Sequence, residues 1–143
     1  MLVKEILSTK GADVITIDPT AKVADAAKVL AERRIGSLVV TGPEQRVIGI
    51  VSERDVVHVL ASRGAAALDL PLTDIMTRKV ATCTSSDTIV SIMEQMTAGK
   101  FRHVPVVEQG RLTGIISIGD VVKYRLEELE SEQNALRDYI QTA

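Results

Sequence analysis

Apolar positions along the chain follow a β period and then a helical period, and the sequence runs through that order twice. Val14-Ile15-Thr16-Ile17 is a short β-rich run, and Val80 to Thr84 is a second. After each comes a hydroxyl residue suited to a helix N-cap, Thr20 or Ser86. Apolar residues then fall at helical spacing: Val23, Ala26, Ala27 and Leu30 in the first case, Ile89, Ile92, Met93 and Met96 in the second. Two strands follow each helix, Ser37 to Thr41 with Arg46 to Val51, and His103 to Val107 with Leu112 to Ile116. A Gly-containing turn joins each pair, which predicts hairpins. A second helix begins just after Ser52 and Ser117. The predicted order is β-α-β-β-α, twice, and the near-continuous apolar strands point to sheets covered by helices.

The two halves are one unit duplicated. At an offset of 66, Thr20 matches Ser86, Val23 matches Ile89, Ala27 matches Met93 and Leu30 matches Met96. Later the offset is 65, and Gly49-Ile50-Val51-Ser52-x-x-Asp55 matches Gly114-Ile115-Ile116-Ser117-x-x-Asp120. The deletion falls in a turn, where few buried contacts are at stake. The lead-in segments Val3 to Leu7 and Leu72 to Met76 also correspond. Two units are too few for a solenoid, so the expected fold is mixed α/β (α+β): two pseudo-twofold-related repeats sharing one core, plus a C-terminal helix. The expected boundaries are 1–61 for the first repeat, 62–71 for a linker, 72–125 for the second repeat and 126–143 for a helical tail. In the tail, Val122, Leu126, Leu129, Leu136 and Ile140 form a seam like that of a coiled coil, with polar Gln133 in it. That seam packs either on its own domain or on a partner helix.

Composition narrows the chemistry. With 17 Lys and Arg against 19 Asp and Glu, no excess positive charge is present to neutralise nucleic acid. Aromatic residues are 2% of the chain, too few for a base-stacking surface. No apolar run approaches the ~20 residues of a membrane helix, so no membrane association is expected and the cytoplasm is the expected compartment. One cysteine leaves no disulfide and no zinc cluster to build, and two histidines leave little for metal ligation. Cys83 reads as a packed thiol and His58 as a surface residue. Neither catalytic nor metal-ligating residues are expected.

The repeated Gly-x-x-Ser-x-x-Asp carries more. In each copy a strand ends, a hydroxyl sits at the break, and an Asp follows at the start of a helix. Helix N-termini suit phosphate, a Ser hydroxyl can donate to a phosphate oxygen, and a carboxylate can accept both hydroxyls of a vicinal diol such as ribose. The same spacing is that of a capping box. Arg102-His103 opens a strand in the second repeat and adds two potential cations that would complement a phosphate. Gly36-Ser37 stands at the matching place in the first, so the two candidate sites differ chemically.

With Arg-His-Val-Pro-Val-Val at 102–107, the doubled Gly-x-x-Ser-x-x-Asp and the lead-in at Leu72 to Thr77, the chain from Met1 to about Arg125 resembles a tandem pair of CBS domains, the Bateman module, as found in stand-alone bacterial proteins. The resemblance implies a regulatory module, not an enzyme, that binds AMP, ADP, ATP, NAD or S-adenosylmethionine in the cleft between two repeats and signals to an unidentified regulated protein. It implies ribose contacts for Asp55 and Asp120, phosphate or ribose contacts for Ser52 and Ser117, and phosphate contacts for Arg102 and His103. Main-chain groups around Thr16 and Thr82 would face the base. It also implies a homodimer formed through the module helices, with the tail helix contributing. The alternatives are a purely structural dimerisation module and a regulatory subunit of an enzyme or transporter that binds no ligand.

Overall fold

The structure is a computed structural model that describes residues 1–142. Its elements in order are α1 (Val3–Lys10), β1 (Thr16–Ile17), α2 (Val23–Arg33), β2 (Ser37–Thr41), β3 (Val47–Ser52), α3 (Glu53–Arg63), α4 (Ile89–Gly99), β4 (His103–Glu108), β5 (Arg111–Ser117) and α5 (Ile118–Thr142). Both predicted hairpins form, and α3 and α5 start directly after the two motif serines. Strand β1 lies parallel to β2, with Thr16 opposite Val39, and β2 is antiparallel to β3, with Ser37 opposite Ser52. Strands β4 and β5 make a separate two-stranded sheet.

The predicted strand at Val80 to Thr84 is reduced to one parallel bridge between Cys83 and Val106. Cys83 N–H donates to the Pro105 carbonyl at 3.0 Å. Proline has no N–H to return the next ladder bond, so the pairing stops there. The predicted N-caps also shift. Thr20 instead donates its N–H and hydroxyl to Asp18 in a tight turn, and α2 starts after Lys22, whose N–H bonds to the Asp25 carboxylate. Helix α4 is capped by Thr88, which accepts from Ser91 N–H at 3.1 Å, while Ser86 bonds to Thr84. In both cases the residue immediately before the first apolar position wins, because only there does the backbone leave the helix.

The chain divides into two compact units, and the buried apolar residues form two clusters where one shared core was expected. The Asp55 unit comprises Asp13–Ala81 with Val107–Thr113. The Asp120 unit comprises Met1–Ala12, Thr82–Val106 and the chain from Gly114 onward. Each repeat is completed by the lead-in of the other. In the Asp55 unit, Val23 N–H donates to Leu70 O and Leu72 N–H to Ala21 O, both at 2.9 Å, and Thr77 and Ile50 exchange bonds of 3.0 Å. In the Asp120 unit the equivalents are Val3 N–H to Asp87 O at 2.9 Å and Ile89 N–H to Met1 O at 3.0 Å. Val3 and Ile6 of α1 are fully buried against α4, β4 and β5 residues such as Ile89, Val104 and Ile116, and Leu72 is fully buried among Val23, Leu38 and Val51.

Between the repeats α3 runs to Arg63, a 3-10 turn spans Gly64–Asp69, and Ala67 is buried. The apolar pattern of α2 and α4 lies inward, except that Met93 is 37% exposed. Helix α5 buries only Val121 and Tyr124; the stripe of Val122, Leu126, Leu129, Leu136 and Ile140 is 44–65% exposed, so it is not folded back on its own chain.

The motif glycines admit the lead-ins. A Cβ on Gly49 would stand 2.5 Å from Met76 Sδ and 3.1 Å from the Thr77 carbonyl, and one on Gly114 would stand 2.8 Å from Leu7 Cδ1. Gly119, by contrast, would meet nothing closer than Ser117 Oγ at 3.6 Å. Gly49→Ala is therefore expected to destabilise the protein by about 1–3 kcal/mol through overpacking. Gly119→Ala is expected to be neutral or slightly stabilising. Urea denaturation of the two variants checks the contrast; equal midpoints would contradict it.

Candidate functional site

Where β3 gives way to α3, the first helical N–H groups lose their partners and need new acceptors. Ser52 and Asp55 supply them reciprocally. Asp55 N–H donates to Ser52 Oγ at 3.2 Å, and Asp55 Oδ2 accepts from Ser52 N–H at 2.8 Å and from the Ser52 hydroxyl at 3.1 Å. At the β5–α5 junction Asp120 N–H donates to Ser117 Oγ at 3.1 Å, and Asp120 Oδ2 accepts from Ser117 N–H at 2.9 Å. Both motifs are thus capping boxes, each stabilising its helix by about 1 kcal/mol. Among the described residues the bonds to the two carboxylates fall on Oδ2, which leaves Oδ1 as an acceptor in each.

A second correspondence ties the opening of each hairpin to its junction. Glu53 N–H donates to Gly36 O at 3.0 Å, and Ile118 N–H donates to Arg102 O at 2.8 Å. The backbone before β2 and before β4 is therefore locked to the start of the following helix. This holds Arg102 beside the Ser117–Asp120 turn through its main chain, while its side chain is exposed and makes no ion pair among the described residues. His103 is half-buried at the first position of β4. In the other unit the matching Ser37 is buried, and its hydroxyl has no hydrogen-bond partner among the described residues. Thr16 is exposed on β1, and Thr82 is exposed one residue before the Cys83 bridge. Among the described residues neither threonine is hydrogen-bonded to the Ser–Asp pairs, whereas the structure joins Ser52 to Asp55 and joins Ser117, Asp120 and the Arg102 main chain.

The two carboxylates differ in surroundings that sequence reading did not anticipate. Lys10, the last residue of α1, places Nζ 2.5 Å from Asp120 Oδ2 and 2.8 Å from the Ile115 carbonyl. The two side chains of this ion pair are only 25% and 18% exposed. Burial, the largest single influence, pushes the Asp120 carboxyl up; the Lys10 hydrogen bond, the Ser117 N–H and the Lys10 charge together outweigh it and hold the carboxyl below its ordinary value of 3.8. Among the described residues Asp55 makes no ion pair of this kind. It borders an open cavity of about 240 Å³ that also reaches His58, Arg63 and Asp74. In the Asp120 unit a second cavity, of about 310 Å³, lies between α4 and α5 and is mainly apolar, lined by residues such as Met93, Met96, Val122 and Leu126.

Because the folded Asp120 carboxyl titrates below the unfolded one, its contribution to stability is complete above the ordinary carboxylate value and is lost as pH falls through the lowered one. Lys10→Met is expected to lower stability at neutral pH by about 0.2–1 kcal/mol, as partly exposed pairs do. The difference from the wild-type chain should close in acid. Thermal melts across pH check this; a difference undiminished in acid would contradict it.

Comparison with known proteins accounts for this arrangement. The CBS domain model matches residues 3–62 and 72–127, the two repeats with their lead-ins. The crystal structure of a CBS-domain containing protein from Agrobacterium tumefaciens is 48% identical, with a TM-score of 0.84 over 87% of this chain and 99% of that one. A CBS domain protein from Pyrobaculum aerophilum, solved with AMP, is 31% identical, with a TM-score of 0.75 over 84% of this chain and 89% of that one. The CBS domain pair of protein MJ0100, solved with 5′-methylthioadenosine and S-adenosyl-L-methionine, is 26% identical, with a TM-score of 0.79 over 90% of this chain and 98% of that one. No helix among the described residues is long and apolar enough to cross a membrane. Two copies of one β-α-β-β-α unit, each closed by a Ser–Asp cap and completed by the other's lead-in, match that model along most of their length: the chain belongs to the CBS-domain family and carries a tandem pair of repeats.

Proposed function

We propose that the chain is a regulatory module that binds an adenosine nucleotide at the Ser117–Asp120 turn and passes its occupancy to a separate protein. The observation that carries this reading is the half-buried Asp120 carboxylate, with Oδ1 left as an acceptor, at a helix start to which the Arg102 backbone is tied. A ribose diol matches that acceptor, and phosphate matches the nearby Arg102 guanidinium. Family members with bound AMP or S-adenosylmethionine support the ligand class. AMP, ADP and ATP fit the Asp120 site better than an uncharged adenosyl thioether such as 5′-methylthioadenosine, because the exposed Arg102 guanidinium complements an anion. The Asp55 site has Gly36-Ser37 in place of Arg102-His103 and a buried Ser37 hydroxyl, so its preferred ligand is expected to differ from that of the Asp120 site. In this reading the chain acts by binding, and its single cysteine is packed in the core.

Asp120→Ala removes the carboxylate that would receive the ribose. The expected loss in AMP affinity is on the order of 2–4 kcal/mol, measured by calorimetry. Unchanged binding of AMP, ATP, NAD and S-adenosylmethionine in that variant would overturn the assignment.

The exposed stripe of α5 supports a homodimer as the working form. Val122 and Leu126 stand beside Met93 at the α4–α5 groove, and Leu129, Leu136 and Ile140 extend the apolar face. Burying such side chains at ~1.5–3 kcal/mol each would outweigh the cost of association. Truncation after Arg125 is expected to weaken the dimer in sedimentation while nucleotide binding persists. A truncated chain that stays fully dimeric at low micromolar concentration would move the contact to the module helices.

A further inference from the structure

Lys10 belongs to no motif of the repeats, yet it makes the shortest contact to the carboxylate on which the nucleotide reading rests. Its ammonium has three hydrogens, and two are committed, to Asp120 Oδ2 at 2.5 Å and to the Ile115 carbonyl at 2.8 Å. Helix α1 delivers it. The helix runs from Val3 through two turns, anchored by buried Val3 and Ile6, and closes at Gly11 N–H to Leu7 O at 2.8 Å, with Gly11 at φ +99°. The corresponding lead-in of the other unit behaves differently. After the short turn Leu72–Asp74 it straightens and pairs Thr77 with Ile50, and Lys79, at the position matching Lys10, is exposed with no ion pair among the described residues. The lysine lock is therefore a property of the Asp120 site alone.

We propose that Lys10 is a specificity-determining residue of the Asp120 site: it occupies the carboxylate that a ribose needs, and yields it to ligands whose phosphate takes over the ammonium. This rests on the reading of Asp120 as a ribose acceptor. A ribose that engages both carboxylate oxygens displaces Nζ from Oδ2. The ammonium then sits in a partly desolvated place without its counter-charge, which costs free energy unless another anion is supplied. Adenosine brings the diol and no anion. AMP brings both, and the freed side chain, still tethered at the end of α1, turns from carboxylate to phosphate. Wild-type protein thus discriminates for a phosphate beyond what Arg102 contributes, and filling the site loosens the C-terminal end of α1.

The test compares adenosine with AMP on the full-length wild-type chain, Lys10→Met and Lys10→Arg. Binding is followed by NMR at the Ser117 and Asp120 amides, so that only this site reports. With Lys10→Met, adenosine is expected to bind about three- to tenfold tighter, as the competing ion pair is gone, and AMP no tighter than in the wild type. The preference for AMP over adenosine should fall by the same factor. Lys10→Arg, which keeps the cation, should retain the wild-type preference. If both ligands bind all three proteins with one and the same preference, Lys10 has no part in selection, and the nucleotide reading survives without it. If neither ligand perturbs these amides in any of the proteins, the nucleotide reading of this site fails and the role of Lys10 falls with it.

Discussion

The reciprocal cap between a serine at the end of a strand and an aspartate three residues on is the contact from which the rest of each repeat follows. The chain must turn from β3 into α3, and from β5 into α5, without leaving the first helical N–H groups unpaired. Ser52 with Asp55 and Ser117 with Asp120 meet that need through bonds of 2.8–3.2 Å. Once the helix start is fixed, its N-terminal N–H reaches the carbonyl before the neighbouring hairpin strand, Gly36 or Arg102, and sets where that strand begins. In the proposed reading the same carboxylates also receive the ribose, so one side chain would serve both structure and recognition, and the motif by itself does not distinguish a cap from a binding site.

The second constraint is the exchange of lead-ins. Each repeat leaves an apolar face that its own lead-in does not cover, and the segment preceding the other repeat covers it. Glycine at the first motif position makes room for that segment, next to Met76 in one unit and Leu7 in the other. The exchange also creates chemical asymmetry. One lead-in stays helical as far as Lys10 and brings a cation to Asp120; the other unwinds, and among the described residues Asp55 makes no such ion pair. Duplicated sequence thus yields two sites with different electrostatics, a difference that adds to the replacement of Arg102-His103 by Gly36-Ser37.

Most of this architecture is legible in the sequence because it depends on local rules. Strand runs of alternating or continuous apolar residues, the serine at each break and the doubling of the pattern place β2 to α3 and β4 to α5 within a residue or two. The misplacements have local causes as well. Thr20 and Ser86 are competent caps, but Asp18 and Thr84 engage them in turns, and Pro105 prevents Val80 to Thr84 from completing a strand. What pattern reading cannot supply is a contact between distant segments. Lys10 and Asp120 are 110 positions apart, and nothing in the periodicity around either residue signals the other. The exposure of the α5 stripe was likewise undetermined by spacing, because a seam reads the same whether it packs in cis or in trans.

The central claim is that Asp120, a cap in the protein alone, becomes the ribose acceptor when nucleotide binds. A crystal structure of the full chain with AMP tests it most directly. The account predicts both ribose hydroxyls within hydrogen-bond distance of the Asp120 carboxylate, the phosphate on the side of Arg102, and Lys10 Nζ moved off Oδ2. Nucleotide density elsewhere on the molecule, with the Lys10–Asp120 pair intact, would contradict it.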